Sequence, residues 1–243
     1  MKTSRSQQEQ TRRLIIRTAV DLMTTHGYEQ ASMKQIARTA GIGDATIYKY
    51  FPNKEKLLLA YFALCIEIAV QMAQETPEWE DFDLQESLQR LIDLILELLL
   101  NDREFVAITR SVIQQSPLLV MRDQVPGQAL LKETVIGLIE AAEQRGEIAA
   151  CDFKNLMGNM VMDYLLALIS YWLDDDSEEF SDTTHLVDMS LGVFVAVLKS
   201  GLVNKLTELA SFMLRTHLSR LLQHGGGLGE IIAAFSHKRR KAL

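Results

Sequence analysis

The chain runs to 243 residues but holds only 4 prolines and 13 glycines, so most of it lies in long stretches without a helix breaker. Through those stretches apolar residues recur at spacings of three and four, the repeat that lines up one face of an α-helix. The combination predicts an all-α protein. With 48% hydrophobic residues, the chain can bury a core in one large or two modest units, and a disordered chain is excluded.

Local punctuation sets the helix boundaries. A first helix is predicted over about 10–26, with Leu14, Ile15, Ala19, Leu22 and Met23 on one face and Gly27 as its stop. Ser32 stands where an N-cap belongs, ahead of Ile36, Ala37 and Ala40, and Gly41 follows as a turn. A third short helix, Asp44 to Tyr50, ends before Pro52, because the residue preceding a proline is pushed out of helical geometry. Asn53 caps a long fourth helix over about 54–74, and further amphipathic spans are predicted at about 84–100, 103–115, 126–145, 152–173 and 182–222, the last broken near Gly201. Three units are expected: a head over 1–54, a body over 55–225, and a glycine-rich joint with a basic tail over 226–243. That tail, with Lys238, Arg239, Arg240 and Lys241, reads as a solvated end or as a contact for DNA or an acidic membrane surface.

A net charge of −7 taken alone argues against a nucleic-acid partner, but its distribution reverses that conclusion. Residues 1–60 hold 10 Lys and Arg against 5 Asp and Glu, whereas the remainder holds 15 against 27. A small basic module on an acidic body restricts where DNA can dock. Arg12, Arg13 and Arg17 fit either a solvated helix face or phosphate contact. Cys65 and Cys151 lack partners at metal-ligand spacing and suit a core in a reducing compartment, and the five histidines show no ligand pattern. Neither a phosphate loop nor a nucleophile elbow is present. No catalytic residue, cofactor or metal is therefore expected. Met1 to Arg13 is polar, and the longest apolar run, Tyr164 to Leu173, is too short to cross a bilayer, so a cytoplasmic protein without a membrane partner is expected.

The informative segment is 32–51. Three short helices within 40 residues, the second and third joined by Ala40-Gly41-Ile42-Gly43, make the pattern of a helix-turn-helix. Glycine belongs at the turn because the backbone there takes a left-handed conformation that a side chain opposes. Ile36, Ala37, Ile42, Ile47 and Phe51 can close a small core, leaving Lys34, Thr46, Tyr48, Lys49 and Tyr50 to face a groove or a phosphate backbone.

In Ser32-Met33-Lys34-Gln35-Ile36-Ala37, Ala40-Gly41-Ile42, Thr46-Ile47-Tyr48-Lys49-Tyr50-Phe51 and Asn53-Lys54-Glu55-Lys56-Leu57, the segment resembles the TetR family of regulators. The resemblance implies a three-helix DNA-binding domain on a larger helical ligand-binding and dimerisation domain, a homodimer on double-stranded operator DNA, and a small-molecule effector. It implies that Ser32 and Lys34 meet the DNA backbone or nearby bases, and that Asp44, Ala45 and Thr46 open the recognition helix. Tyr48 and Lys54 would position the module on phosphates, while Lys49 and Tyr50 reach bases or phosphates. Gly43 replaces a polar cap usual in the family, Tyr50 stands where histidine is common, and Asp44 adds a negative charge, so an unusual operator is expected.

In the body, Phe105, Ile108, Met160, Asp163, Tyr164 and Trp172 are expected to line an effector site, although Asp163 also suits a solvent edge or a cation across a dimer, and the methionines suit core filling. Leu186, Met189, Val193, Val197, Leu206, Leu209, Met213 and Leu221 supply faces for dimerisation or for internal packing. The expected function is repression relieved when a small apolar molecule releases the dimer from a palindromic operator. An activator of the same family and a helical lipid-binding or scaffold protein with a silent DNA module remain as alternatives.

Overall fold

The structure, a computed structural model, describes residues 5–115 and 127–223, with side chains through residue 214. The basic tail lies outside the described residues. Helices α1 (Arg5–His26), α2 (Met33–Thr39) and α3 (Asp44–Tyr50) form the head. Helix α4 (Lys54–Gln74) leads into a body of α5 (Leu84–Leu100), α6 (Arg103–Gln115), α7 (Gln128–Gln144), α8 (Lys154–Leu173), α9 (Ser181–Lys199) and α10 (Leu202–Gln223). No strand occurs among the described residues.

The predicted caps explain several of these boundaries. The Ser32 hydroxyl accepts from the Gln35 amide at 3.2 Å and Asn53 Oδ1 from the Lys56 amide at 2.8 Å, each satisfying a donor that the first helical turn leaves free. Asp83 and Glu86 close a reciprocal box at the start of α5. Helix α1 starts earlier than predicted, at Arg5. Its first turns lack an apolar stripe but carry the pairs of Glu9 with Arg12 and Arg13, which favour helix without leaving a hydrophobic period.

Ile15, Ile16, Ala19 and Met23 of α1, Ile36 and Ala37 of α2, Ile47 of α3, and Phe51 are all buried, which makes the head a packed unit. Helix α4 packs on α1 and also on α5 and α7, so one rigid element joins head to body. Its mean hydropathy is high because it is enclosed on more than one face. The same property corrects one expectation: α4 and α8 are each long and apolar enough to cross a bilayer by length and composition, since spanning windows tolerate interspersed polar residues that end a strictly apolar run. In α4 most of that window is buried within the protein.

At the start of α7, Gly127 lies at φ +87°, where a Cβ would come within 2.9 Å of Ala63 Cα. Only glycine allows this approach of α7 to α4. The Arg103 guanidinium donates to the carbonyls of Trp172, Leu173 and Asp175 at 3.0–3.3 Å, satisfying the end of α8 and fastening α6 to it. Asp175, only 7% exposed, accepts from the amides and hydroxyls of Ser177 and Thr183 and so fixes the start of α9. Near Gly201 the chain axis turns by 64° into α10.

Candidate nucleic-acid interface and internal cavity

Helix α2 ends in a Schellman turn: the Ile42 amide donates to the Ala37 carbonyl at 3.0 Å and the Gly41 amide to Arg38 at 3.2 Å, with Gly41 at φ +69°. The turn aims α3 outward. Ile47 is the buried anchor of α3, while Ala45, Tyr48 and Lys49 are exposed and Thr46 is half-buried. Tyr48 is 52% exposed, so much of its ring and its hydroxyl are open to a groove or a phosphate backbone. Lys34, with 80% of its side chain exposed, lies 3.8 Å from Asp44 and brings the first turns of α2 and α3 together as a charge pair. In solvent that pair contributes at most about 1 kcal/mol, so a phosphate can displace Asp44 from the lysine at little cost. Asp44 also suits the N-terminus of α3, where Gly43 provides no side-chain cap.

Two expected contacts are placed differently. Tyr50 is half-buried against the core, because its position on the seven-residue α3 follows the inward face of Ile47 rather than the outward face of Tyr48. The Lys54 amine donates to the Tyr28 carbonyl at 2.7 Å and sits 4.2 Å above the Tyr28 ring, so it fastens α4 to the α1–α2 corner. The Tyr28 hydroxyl in turn donates to Glu55, and burial, with that carboxylate beside it, holds the phenol well above its ordinary pKa. Arg12, Arg13 and Arg17 of α1 are also engaged: Arg12 with Glu9 and Glu67, Arg13 with Glu9, and Arg17 with Asp21 and Asp102. Arg38 and Thr39, which the sequence reading did not single out, are exposed at the end of α2.

The body contains a cavity of about 420 Å³ bounded by α4, α5, α6 and α8. Phe62 and Ile66 of α4, Leu99 of α5, Val106 of α6, and Leu165 and Ile169 of α8 form much of its apolar wall. Arg110 is the one charged residue among its described lining; its guanidinium donates to Asp174 at 2.7 Å and to the Ser170 carbonyl at 3.2 Å. That ion pair lowers the pKa of Asp174.

None of the six side chains expected to line an effector site faces this cavity. Phe105 is fully buried, packed edge-on to Tyr61 at 4.9 Å between ring centres. Trp172 is buried beside Arg103 and Phe180. Ile108 is half-buried and Asp163 is exposed. Met160 and Tyr164 line a second groove, of about 500 Å³, with residues of α9 and α10. The reason is helix register: Met162, Leu165, Leu166 and Ile169 share the face of α8 toward α6, whereas Met160 and Tyr164 share the one toward α9. The contribution of α4 was legible only as an excess of apolar residues beyond one face.

Comparison with known proteins places both parts of this geometry in one group. Residues 15–61 match the family described as bacterial regulatory proteins, tetR family, and residues 87–213 match the tetracyclin repressor-like C-terminal domain. The chain is 28% identical over 194 residues to the fatty acid metabolism regulator protein of Bacillus subtilis, covering 79% of this chain and 95% of that protein. Among solved structures, the fatty acid degradation regulator FadR from Bacillus halodurans aligns at 25% identity and a TM-score of 0.54, over 74% of this chain and 94% of its own. Salmonella enterica GusR, at 21% identity and a TM-score of 0.57 over 79% of this chain and 96% of its own, shares the fold.

Proposed function

The chain belongs to the TetR family of transcription regulators, DNA-binding factors without enzymatic activity, and from that premise we propose that it is a dimeric repressor released from its operator by a long-chain, largely apolar effector. The observation that carries the DNA reading is the exposure of α3: Ile47 holds it to the core while Ala45, Tyr48 and Lys49 stand free on a positively charged head. Asp44, Ala45, Thr46 and Lys49 form the base-reading edge. Ser32, Lys34 and Tyr48 form the phosphate-facing rim, with Lys54 acting through its hold on Tyr28.

Dimerisation is supported by the exposed apolar side chains of α9 and α10, among them Met189, Val193, Leu206, Leu209 and Phe212. A dimer sets two α3 helices about one DNA turn apart on a palindrome. The effector class is supported by the apolar cavity and by relatives whose names concern fatty acid metabolism and degradation. A ligand that binds the DNA-incompetent shape more tightly depletes the operator-bound state by no more than that difference in affinity.

Capture of genomic fragments by the purified protein, followed by footprinting with and without dodecanoate or its coenzyme A thioester, tests this reading. The expected result is a protected palindrome whose protection is lost when the chain compound is added. Binding of all fragments alike, with no discrete footprint, overturns it.

A further inference from the structure

Resting on that effector-release reading, we propose that Asp102, at the corner between α5 and α6, is the joint through which the cavity wall controls the DNA-binding head. Its carboxylate serves two other elements at once. Arg17 Nη1 of α1 lies 3.2 Å from both carboxylate oxygens, and the Tyr61 hydroxyl of α4 donates to Oδ2 at 3.1 Å. The aspartate side chain is 11% exposed, so these contacts replace most of its water. The bond from the buried Tyr61 hydroxyl to this carboxylate is charge-assisted and largely desolvated, so it fixes the carboxylate that the solvent-exposed Arg17 guanidinium then grips. Burial, with the Cys65 thiol and the Asp102 carboxylate nearby, keeps the Tyr61 phenol well above its ordinary pKa, so it stays a proton donor.

Asp102 is tied to the cavity on both sides. Its amide donates to the carbonyl of Leu99, its own carbonyl accepts from the amide of Val106, and Leu99 and Val106 both line the cavity. On α4, Tyr61 lies between the joint and the wall: the next residue, Phe62, and Cys65 one turn on are lining residues. A ligand that moves Leu99 and Val106 apart from Phe62 and Cys65 therefore cannot leave the Asp102 contacts to Arg17 and Tyr61 both intact. Arg17 is the far end of this path, on a helix whose buried face forms the head's core. Arg17, Tyr61 and Asp102 thus act as positioning residues for the α3 surface, touching neither DNA nor ligand.

The test uses the full-length protein, a captured operator fragment and dodecanoate as the probe. Operator affinity is measured with and without probe for the wild type, Asp102→Asn, Tyr61→Phe and Arg17→Gln; calorimetry measures probe binding and circular dichroism the fold. Expected is a loss of operator affinity of at least tenfold on probe saturation in the wild type and less than twofold in the variants, with probe affinity unchanged. A merely structural role would instead change probe affinity or helix content. Arg17 is exposed on the surface, so Arg17→Gln remains informative if the buried variants fold poorly. Variants that release DNA as the wild type does overturn the joint and leave the effector reading standing. A wild type that binds the probe without releasing DNA, or does not bind it, overturns both.

Discussion

Single residues in this protein are decided by backbone conformation and by what surrounds a charge. Gly41 holds a positive φ at the turn that aims α3. In Gly41→Ala the added Cβ meets no neighbour but opposes that φ, so a loss of about 1–2 kcal/mol is expected, read as a lower midpoint in chemical denaturation. Asp175 has its pKa lowered below the ordinary carboxylate value by the hydroxyls of Ser177 and Thr183 and then by their amides. A depressed carboxylate adds stability above its unfolded pKa, and that stability fades as pH falls toward the folded value. Asp175→Asn should therefore lower the melting temperature at pH 7, with the gap to wild type narrowing below about pH 4. A gap of constant size from pH 7 to pH 3 would show that the ionised form contributes nothing.

At the scale of elements, α3 is seven residues long and does not persist alone; its helicity depends on Ile47 and on the turn before it. The face left free then decides its role. Lys49→Ala is expected to reduce operator affinity and alter base preference with the salt slope unchanged, as its place on the base-reading edge requires. A slope reduced by about one unit with base preference unchanged would assign it to phosphate contact instead. The periodicity of α8 marked it as amphipathic without saying which stripe faced which neighbour. Its mean apolarity left two faces equally plausible, and the cavity took the stripe of Met162, Leu165 and Ile169.

At the scale of the molecule, a single chain leaves α9 and α10 with apolar side chains in solvent, Val193 at 65% and Phe212 at 64% exposure. Covering such a face favours association. On the proposed dimer, sedimentation at micromolar concentration should find the wild type as a dimer and Val193→Glu as a monomer, and the variant should bind the operator more weakly through lost bivalency. A Val193→Glu protein that sediments as the wild type does would place the interface elsewhere.

The sequence by itself determined the helical class, most helix ends and the helix-turn-helix, because caps, glycine turns and hydrophobic period act over a few residues and need no distant partner. Tyr48 and Lys49 were legible for the same reason: their outward direction follows from the positions of Ile47 and the turn. Only tertiary packing decided that Phe105 and Trp172 fill the core, that Lys54 and Arg17 hold elements together, and that the cavity lies among α4, α5, α6 and α8. Those outcomes depend on which apolar stripe meets which across tens of residues of chain, and hydropathy alone gives equivalent stripes the same weight.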